Sequence, residues 1–476
     1  MDRKTLHSVG IDIGTTTTQV IFSRLTLVNR APATQVPQYE FIEREIAYES
    51  PVSFTPIDSS GVIDAERLQA FIHKQFAAAG LALKAIETGA IIITGETSKA
   101  HNAREAIMDL ADQLGDFVVA TAGPHLESII AGRGSGAAEY AKAHHKCVLN
   151  IDIGGGTSNY VVFKGDRVVD TACLNVGGRL LEVSADGGVS RIHKPARMIV
   201  DDLFGPQIKE SDMTPDHIRR VACRMAEMVV EVACGKQSSL ATRLLMTESL
   251  KPHHEYDAVF LSGGVGACYY QSTTAPIAAH QFNDVGPLLA EELMKNAQLN
   301  GENIMVPIQT LRATVIGAGA YSLSLSGSTI WLKTADLPIR NVPVVHPNID
   351  WQSEAPAVCE ETLTAANRMD LDLINDRYAI SLDASMPMTY TAVLRASEQL
   401  AEFYQRHGNR KAPALLVVQN DIGKVLGMEL GPLLAPQELA VIDEVVTHDG
   451  DYIDIGESYF GGEIVPLTVK SLAFPS

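Results

Sequence analysis

Val9–Val20 reads VGIDIGTTTTQV and Asn150–Phe163 reads NIDIGGGTSNYVVF, and the likeness between these two stretches decides the fold. In each, apolar residues alternate up to a glycine, a Gly-Thr turn follows, and a second apolar run resumes, which is the pattern of a β-hairpin with a polar tip. Gly10–Thr17 and Asn150–Thr157 both read x-Ile-Asp-Ile-Gly-x-x-Thr, 140 residues apart. A repeat at that distance predicts an internal duplication, each copy opening one lobe of an α/β protein.

The chemistry of the repeat lies at its tip. Asp12 and Asp152 end the first strand of each hairpin, Gly14 and Gly154–Gly156 let backbone N–H groups approach an anion, and Thr15, Thr16 and Thr157 add short hydroxyl donors. Two carboxylates facing each other across a cleft would hold hydrated Mg²⁺ or Ca²⁺ against phosphates. One copy alone would favour a plain β-turn by roughly three to one, since Asp and Gly are common turn residues. Ile453–Gly456 repeats Ile-Asp-Ile-Gly without the threonine and reads as structural.

Composition sets limits. A chain of 476 residues with 46% hydrophobic content exceeds one core and predicts three units, residues 1–146, 147–329 and 330–476. The formal charge of −19 would repel a nucleic-acid backbone, so nucleic acid is excluded as a partner. Any nucleotide site must therefore rely on backbone N–H groups and a cation. The six cysteines form no CxxC pair and read as reduced thiols. Met1–Ser8 has no apolar run of signal length, and no segment approaches the ~20 apolar residues of a membrane span, so a cytoplasmic protein without a membrane partner is expected.

Between the hairpins, spacing predicts helix over Asp64–Ala79 and His101–Leu114, strand over Ala90–Thr94, and an apolar stripe of Leu126, Ile129 and Ile130 after Pro124. Thr214–Glu248 predicts a long helix with Val221, Met225, Val229 and Ala233 on one face. Ala258–Leu261 predicts a strand entering Ser262, Gly263 and Gly264, and Thr314–Leu325 an Ala-rich helix containing Gly317 and Gly319. Pro338, Pro343, Pro347 and Pro356 mark the change of texture into the third unit.

These residues resemble a known superfamily. Val9–Val20 is similar to the first phosphate motif of actin-like and heat-shock-chaperone ATPases, and Asn150–Phe163 to the second. Phe260–Gly266, FLSGGVG, resembles their adenosine motif, and Ala313–Ser326 their second connecting helix. Within the superfamily the likeness is to the ethanolamine ammonia-lyase reactivating factors, over the whole length. It implies a duplicated ribonuclease H-like fold with an additional C-terminal α/β unit. It further implies ATP/ADP and Mg²⁺ as ligands and ethanolamine ammonia-lyase as partner. The implied work is ATP-dependent release of damaged cobalamin, so that intact adenosylcobalamin can bind, in a cytoplasmic protein associated with a bacterial microcompartment. Homo-oligomerisation is left open.

Carried over residue by residue, the resemblance places Gly14, Thr15 and Thr16 on phosphate from one lobe and Gly154, Gly155, Gly156 and Thr157 from the other. Gly177 and Gly178 match a pair lining the cleft, Gly263 and Gly264 would admit adenosine, and Asp12 and Asp152 would face the metal. Two departures stand out. The chaperones' carboxylate after the Gly-Gly-Gly run is Asn159 here, and their Glu-Pro helix start is Gly123-Pro124. Glu127, one turn further, has equal claims as a catalytic substitute and as a solvated helix residue. Asn can hold a water but cannot take its proton, so turnover is expected well below the enzyme median of about 10 s⁻¹.

Other readings compete. A small-molecule kinase on the same scaffold would need an acceptor pocket and a base, neither assignable here. A nucleotide-dependent scaffold or filament subunit is a third. Gly132, Gly134 and Gly136 follow a helix rather than a strand and fail the Rossmann context. The pairs His144-His145 and His253-His254 read as solvated surface histidines.

Overall fold

The computed structural model describes residues 3–14, 17–29, 39–51, 53–56, 62–82, 85–86, 88–93, 117–165, 167–184, 186–273, 277–299, 303–307, 320–325, 331–333, 337–353, 355–456 and 465–471. The expected helix at His101–Leu114, together with Thr15 and Thr16, lies outside them.

The first sheet is built from β1 (Arg3–Ile13), β2 (Thr17–Asn29), β3 (Tyr39–Glu49), β4 (Ser53–Phe54), β5 (Thr88–Ile93) and β6 (Phe117–Thr121), in the order β3-β2-β1-β5-β6 with β4 on β2. Alternation sends Val9, Ile11, Ile13, Phe22, Ile91 and Ile93 to one face. There they meet Leu68, Ile72 and Phe76 of helix α1 (Ala65–Ala78), which starts where Asp64 accepts from the Arg67 N–H.

The second sheet repeats the plan. It comprises β7 (Cys147–Ile153), β8 (Ser158–Lys164), β9 (Arg167–Leu174), β12 (Ala258–Ser262) and β13 (Ile304–Met305), in the order β13-β12-β7-β8-β9. The ribbon β10 (Leu181–Val183) and β11 (Val189–Ile192) leaves it after β9. In both sheets the hairpin strands are antiparallel, and the next two strands lie parallel to the first. The registers agree as well: Asp12 opposes Gln19 and Ile13 opposes Thr18, just as Asp152 opposes Asn159 and Ile153 opposes Ser158. This is the duplicated ribonuclease H-like fold.

Helix α2 (Pro124–Gly134) joins the two sheets. Leu126 and Ile130 pack with Ala90 and Ile92 of β5, while Ile129 packs with Val161 and Phe163 of β8. The approach to β8 is so close that a Cβ on Gly132 would lie 2.4 Å from Val161. Helix α3 (Ala137–His144) then leads back into β7.

The second sheet is covered by α4 (Lys194–Phe204), α5 (Pro215–Ala233), α6 (Ser239–Leu244), α7 (Gly263–Ser272) and α8 (Gly286–Lys295). Val221, Met225, Val229 and Ala233 are buried on α5 as their spacing predicts. The single helix expected over Thr214–Glu248 is instead two. Gly235 takes a left-handed φ of 64°, and Ser238 restarts the chain by capping Ala241 N–H at 3.3 Å.

The third sheet holds β14 (Ala320–Leu325), β15 (Trp331–Lys333), β16 (Ile339–Val345), β17 (Ala379–Leu382), β18 (Ala414–Val418), β19 (Leu439–Ile442), β20 (Asp451–Ile455) and β21 (Pro466–Ser471). Its parallel centre β16-β17-β18-β19 carries α9 (Val358–Arg368), α10 (Tyr390–Arg406) and α11 (Gly423–Leu434) on one face. Here one expectation fails. Residues 320–325 were expected to be helix, yet they form β14, paired antiparallel with β21. The alternation in Ala-Tyr-Ser-Leu-Ser-Leu has the period of two of a strand rather than the 3.6 of a helix. Ile453–Gly456 also belongs to this sheet, where the Asp454 carboxylate accepts from Lys470 Nζ at 2.5 Å and Asn341 N–H at 2.7 Å. Among the described residues no helix is long and apolar enough to cross a membrane.

Candidate nucleotide site

Parallel pairing brings Ser262, the last residue of β12, beside Asp152 at the end of β7. Ser262 Oγ donates to Asp152 Oδ1 at 2.6 Å and accepts from Asn150 Nδ2 at 3.1 Å, a chain of three buried side chains from two strands. Asp152 is only 8% exposed, and burial pushes its carboxyl up to about 6 despite the opposing Ser262 hydrogen bond. A cation beside such a carboxyl would favour its ionised form.

The turn beyond Asp152 is held from behind. Gly154 N–H donates to Thr157 O at 3.0 Å, Gly178 N–H to Gly154 O at 3.0 Å, and Arg179 N–H to Gly155 O at 2.7 Å. Gly177 is obligatory here, because a Cβ would stand 2.6 Å from the Gly155 carbonyl. Gly263 has φ +80°, and a Cβ there would stand 2.5 Å from Ile153 O, so it too must be glycine. Gly156 and Gly264, by contrast, face open space within 4 Å. Gly154, Gly155, Gly156, Gly177, Gly178, Gly263, Gly264, Asp152 and Thr157 are thus gathered at one sheet edge, with Gly264 in the first turn of α7.

The first sheet carries the equivalent turn. Asp12 is half-buried near the end of β1, and Thr55 Oγ1 donates to Gly14 O at 2.7 Å while pairing with Thr18 Oγ1 at 3.0 Å. Thr55 braces this turn and was not singled out from sequence, since nothing local marks a threonine 41 residues away. The amides opposite the two aspartates, Gln19 and Asn159, are 8% and 2% exposed. Gln19 Nε2 and Asn159 Oδ1 are buried without a hydrogen-bond partner among the described residues. Each orphaned amide atom stands opposite one aspartate of its own hairpin, a setting in which the waters of a hydrated cation would satisfy it. Among the described residues no three His, Cys, Asp or Glu side chains converge as a direct metal cluster.

Glu127 is half-buried in the first turn of α2, one turn beyond Gly123. The histidine expectation needs correcting at His254, whose Nε2 lies 2.7 Å from Asp170 Oδ2 with the ring largely enclosed. Asp170 also accepts from Lys251 N–H at 2.8 Å, and these contacts from the loop beyond α6 draw the ring inward.

Residues 4–475 match the family model for "Ethanolamine utilisation protein EutA". The chain belongs to the EutA family. It is 52% identical to the ethanolamine ammonia-lyase reactivase EutA of Salmonella typhimurium and 51% identical to that of Escherichia coli, each over all of both chains. The crystal structure of ethanolamine utilization protein EutJ from Carboxydothermus hydrogenoformans is 16% identical, with a TM-score of 0.34, covering 66% of this chain and 89% of that one.

Behind Gly178, Asp284 Oδ1 accepts from Gly286 N–H at 2.9 Å, and burial pushes its carboxyl up to about 6. A carboxyl raised in the folded state holds its proton longer than the unfolded chain does. Folding stability from this group is therefore fully present below pH 3.8 and is lost as pH rises to about 6. Asp284→Asn keeps the Oδ1 acceptor, so we expect it to match wild type at pH 4 and exceed it at pH 7 by up to about 3 kcal/mol. Urea midpoints at the two pH values check this, and equal midpoints at pH 7 would refute it.

Proposed function

We propose that this chain is an ATP-dependent reactivating chaperone for ethanolamine ammonia-lyase, which releases damaged cobalamin from the inactivated enzyme so that intact adenosylcobalamin can bind. The observation carrying this reading is the doubled unit of carboxylate, turn and opposing amide, set in one register at the ends of two equivalent sheets. The lyase as partner comes from the name of the relatives, which match over their full length.

In this reading residues 1–146 and 147–329 are two lobes closing on ATP, apart from strand β14, which joins residues 330–476 in a third unit. Backbone N–H groups of the turns at Gly14–Thr16 and Gly154–Thr157 bind phosphate oxygens, and Thr157 adds a hydroxyl. Gly264, open at the start of α7, lets adenosine lie against backbone, with Gly263, Gly177 and Gly178 holding that wall in place. Mg²⁺, when bound, neutralises charge on the phosphates. Asp12 and Asp152 would hold it through water, with Gln19 and Asn159 as further hydrogen-bonding partners. Neither amide can take a proton from an attacking water, which supports slow hydrolysis, with Glu127 the nearest carboxylate on α2.

Slow hydrolysis suits a protein that must stay in one nucleotide state while cofactor leaves. Lobe closure should then change affinity for the lyase by about 5- to 150-fold between the ATP and ADP forms. Pull-down of inactivated lyase with ADP-loaded and ATP-loaded protein tests it, and identical capture would remove the basis for a nucleotide switch.

A further inference from the structure

Helix α2 crosses between the two sheets, and its first turn is capped by a residue far away in sequence rather than by its own N-cap. Gly123, at the N-cap position, has no side chain to offer, and the N–H groups of His125 and Leu126 donate instead to Asp370 Oδ2, each at 3.1 Å. That carboxylate arrives from the third sheet's unit, just past the end of α9. It also explains the glycine, since a Cβ on Gly123 would lie 2.3 Å from Asp370 Cγ.

Asp370 is itself in a costly conformation. Its φ of 54° is left-handed, a region where glycine or asparagine is preferred at a helix end. The α9 terminus is closed by Asp370 N–H on Asn367 O at 3.1 Å and Leu371 N–H on Ala366 O at 3.4 Å. A glycine would serve that turn better, so it is the carboxylate on α2 that gives aspartate a reason to be there. A negative group at a helix N-terminus is also favoured by the helix dipole. Burial holds the Asp370 carboxyl above the usual carboxylate range, and His125 together with the two N–H donors limits that rise.

The neighbours of Asp370 hold the other partners of the junction. Arg368 Nη1 donates to Val168 O of β9 in the second sheet at 2.7 Å. Met369 packs with Ala90 and Ile92 of β5 in the first sheet and with Leu126 and Ile130 of α2, joined by Leu371 and Tyr452. Three consecutive residues therefore touch the second sheet, the first sheet and the helix between them. His125, in turn, ties α2 to β9 through Nδ1 and Thr171 Oγ1 at 2.8 Å. Any rotation of one sheet against the other must move this junction.

The start of α2 also lies at the nucleotide edge of the first sheet. Thr121 pairs with Ile93 and Ile93 with Ile13, and Ala122 N–H donates to Ile93 O at 2.8 Å, so Gly123 follows the same sheet edge as Gly14.

We propose that Asp370 is a positioning residue that locks the third unit to helix α2, so that lobe closure around nucleotide and movement of the third unit are one motion. This rests on the nucleotide reading above and adds the route by which the site reaches residues 330–476.

The test uses full-length protein and hydrogen–deuterium exchange, after calorimetry has measured the affinity for Mg·ADP and for a non-hydrolysable Mg·ATP analogue. In wild type, exchanging one nucleotide for the other is expected to change exchange rates across α9 and residues 366–372 by about fivefold or more. Asp370→Gly relieves the backbone and removes the acceptor, so it should fold, bind both nucleotides and lose that difference. Asp370→Asn keeps an acceptor of the same shape and should retain part of it. Gly123→Ala should lose the difference and some stability, while Gly123→Ala with Asp370→Gly should recover stability without recovering the difference. A nucleotide-dependent difference that persists in Asp370→Gly or goes undiminished in Asp370→Asn overturns the lock, as does a wild type that binds both nucleotides with no difference. Failure of wild type to bind either nucleotide is seen first in the calorimetry, and it overturns the ATPase reading itself along with the lock.

Discussion

Asp152→Asn is expected to lower Mg²⁺-dependent ATP turnover by about 10²- to 10³-fold while leaving the fold intact. The substitution is close to a pure change of charge. Asn keeps an Oδ1 that can accept the 2.6 Å hydrogen bond from Ser262, so the chain from Asn150 through Ser262 survives. What disappears is the carboxylate that would face the cation. Because burial holds Asp152 at about 6, its ionised form costs the empty protein stability at neutral pH. By the same linkage as at Asp284, the variant should be more stable than wild type at pH 7 by up to about 3 kcal/mol, which separates loss of function from loss of structure. Asp12→Ala, in the matching half of the site, should likewise abolish turnover. Phosphate release measured in excess Mg²⁺ decides the matter. An Asp152→Asn protein with wild-type turnover would show that the carboxylates have been assigned wrongly, and a wild-type rate above about 10 s⁻¹ would contradict the slow-ATPase reading.

Much of this site was legible because its chemistry is local. Asp, Gly and Thr at a hairpin tip are neighbours in sequence, and two copies in identical register carry information that one copy lacks. Gly263 and Gly264 were legible because β12 runs directly into them. The braces were not. Thr55 on Gly14 and Asp370 on α2 act across 41 and about 245 residues, and neither sits in a pattern that spacing could reveal. The odd Gly123 was visible as a departure, but its cause is a side chain from a different unit filling the space. Residues 320–325 were misread for another reason: an Ala- and Gly-rich lead-in suggested helix, while the alternating serines and leucines fitted a strand whose partner, β21, lies at the far end of the chain.

Adjacent glycines should respond in opposite ways to the same small change. Gly263→Ala would place a methyl group 2.5 Å from the Ile153 carbonyl and force an L-residue to φ +80°, so β7 and α7 must part or the chain must twist. Overpacking of this kind costs about 1–3 kcal/mol, with a further ~1 kcal/mol from the left-handed backbone. A lower unfolding temperature is therefore expected in the absence of any nucleotide. Gly264→Ala meets nothing within 4 Å and lies in the first turn of α7, where alanine is the better helix former by about 1 kcal/mol. It should unfold at or above the wild-type temperature. If adenosine lies against this backbone, however, the new methyl group occupies ligand space, and affinity for ADP should fall by about tenfold or more, equivalent to roughly 1.4 kcal/mol. Thermal unfolding and calorimetry on the two variants give four results. The pattern expected is stability lost at Gly263 and affinity lost at Gly264. Because Gly264→Ala keeps its stability, a loss of ADP affinity could not be put down to structural damage, and an unchanged affinity would move the adenosine away from α7.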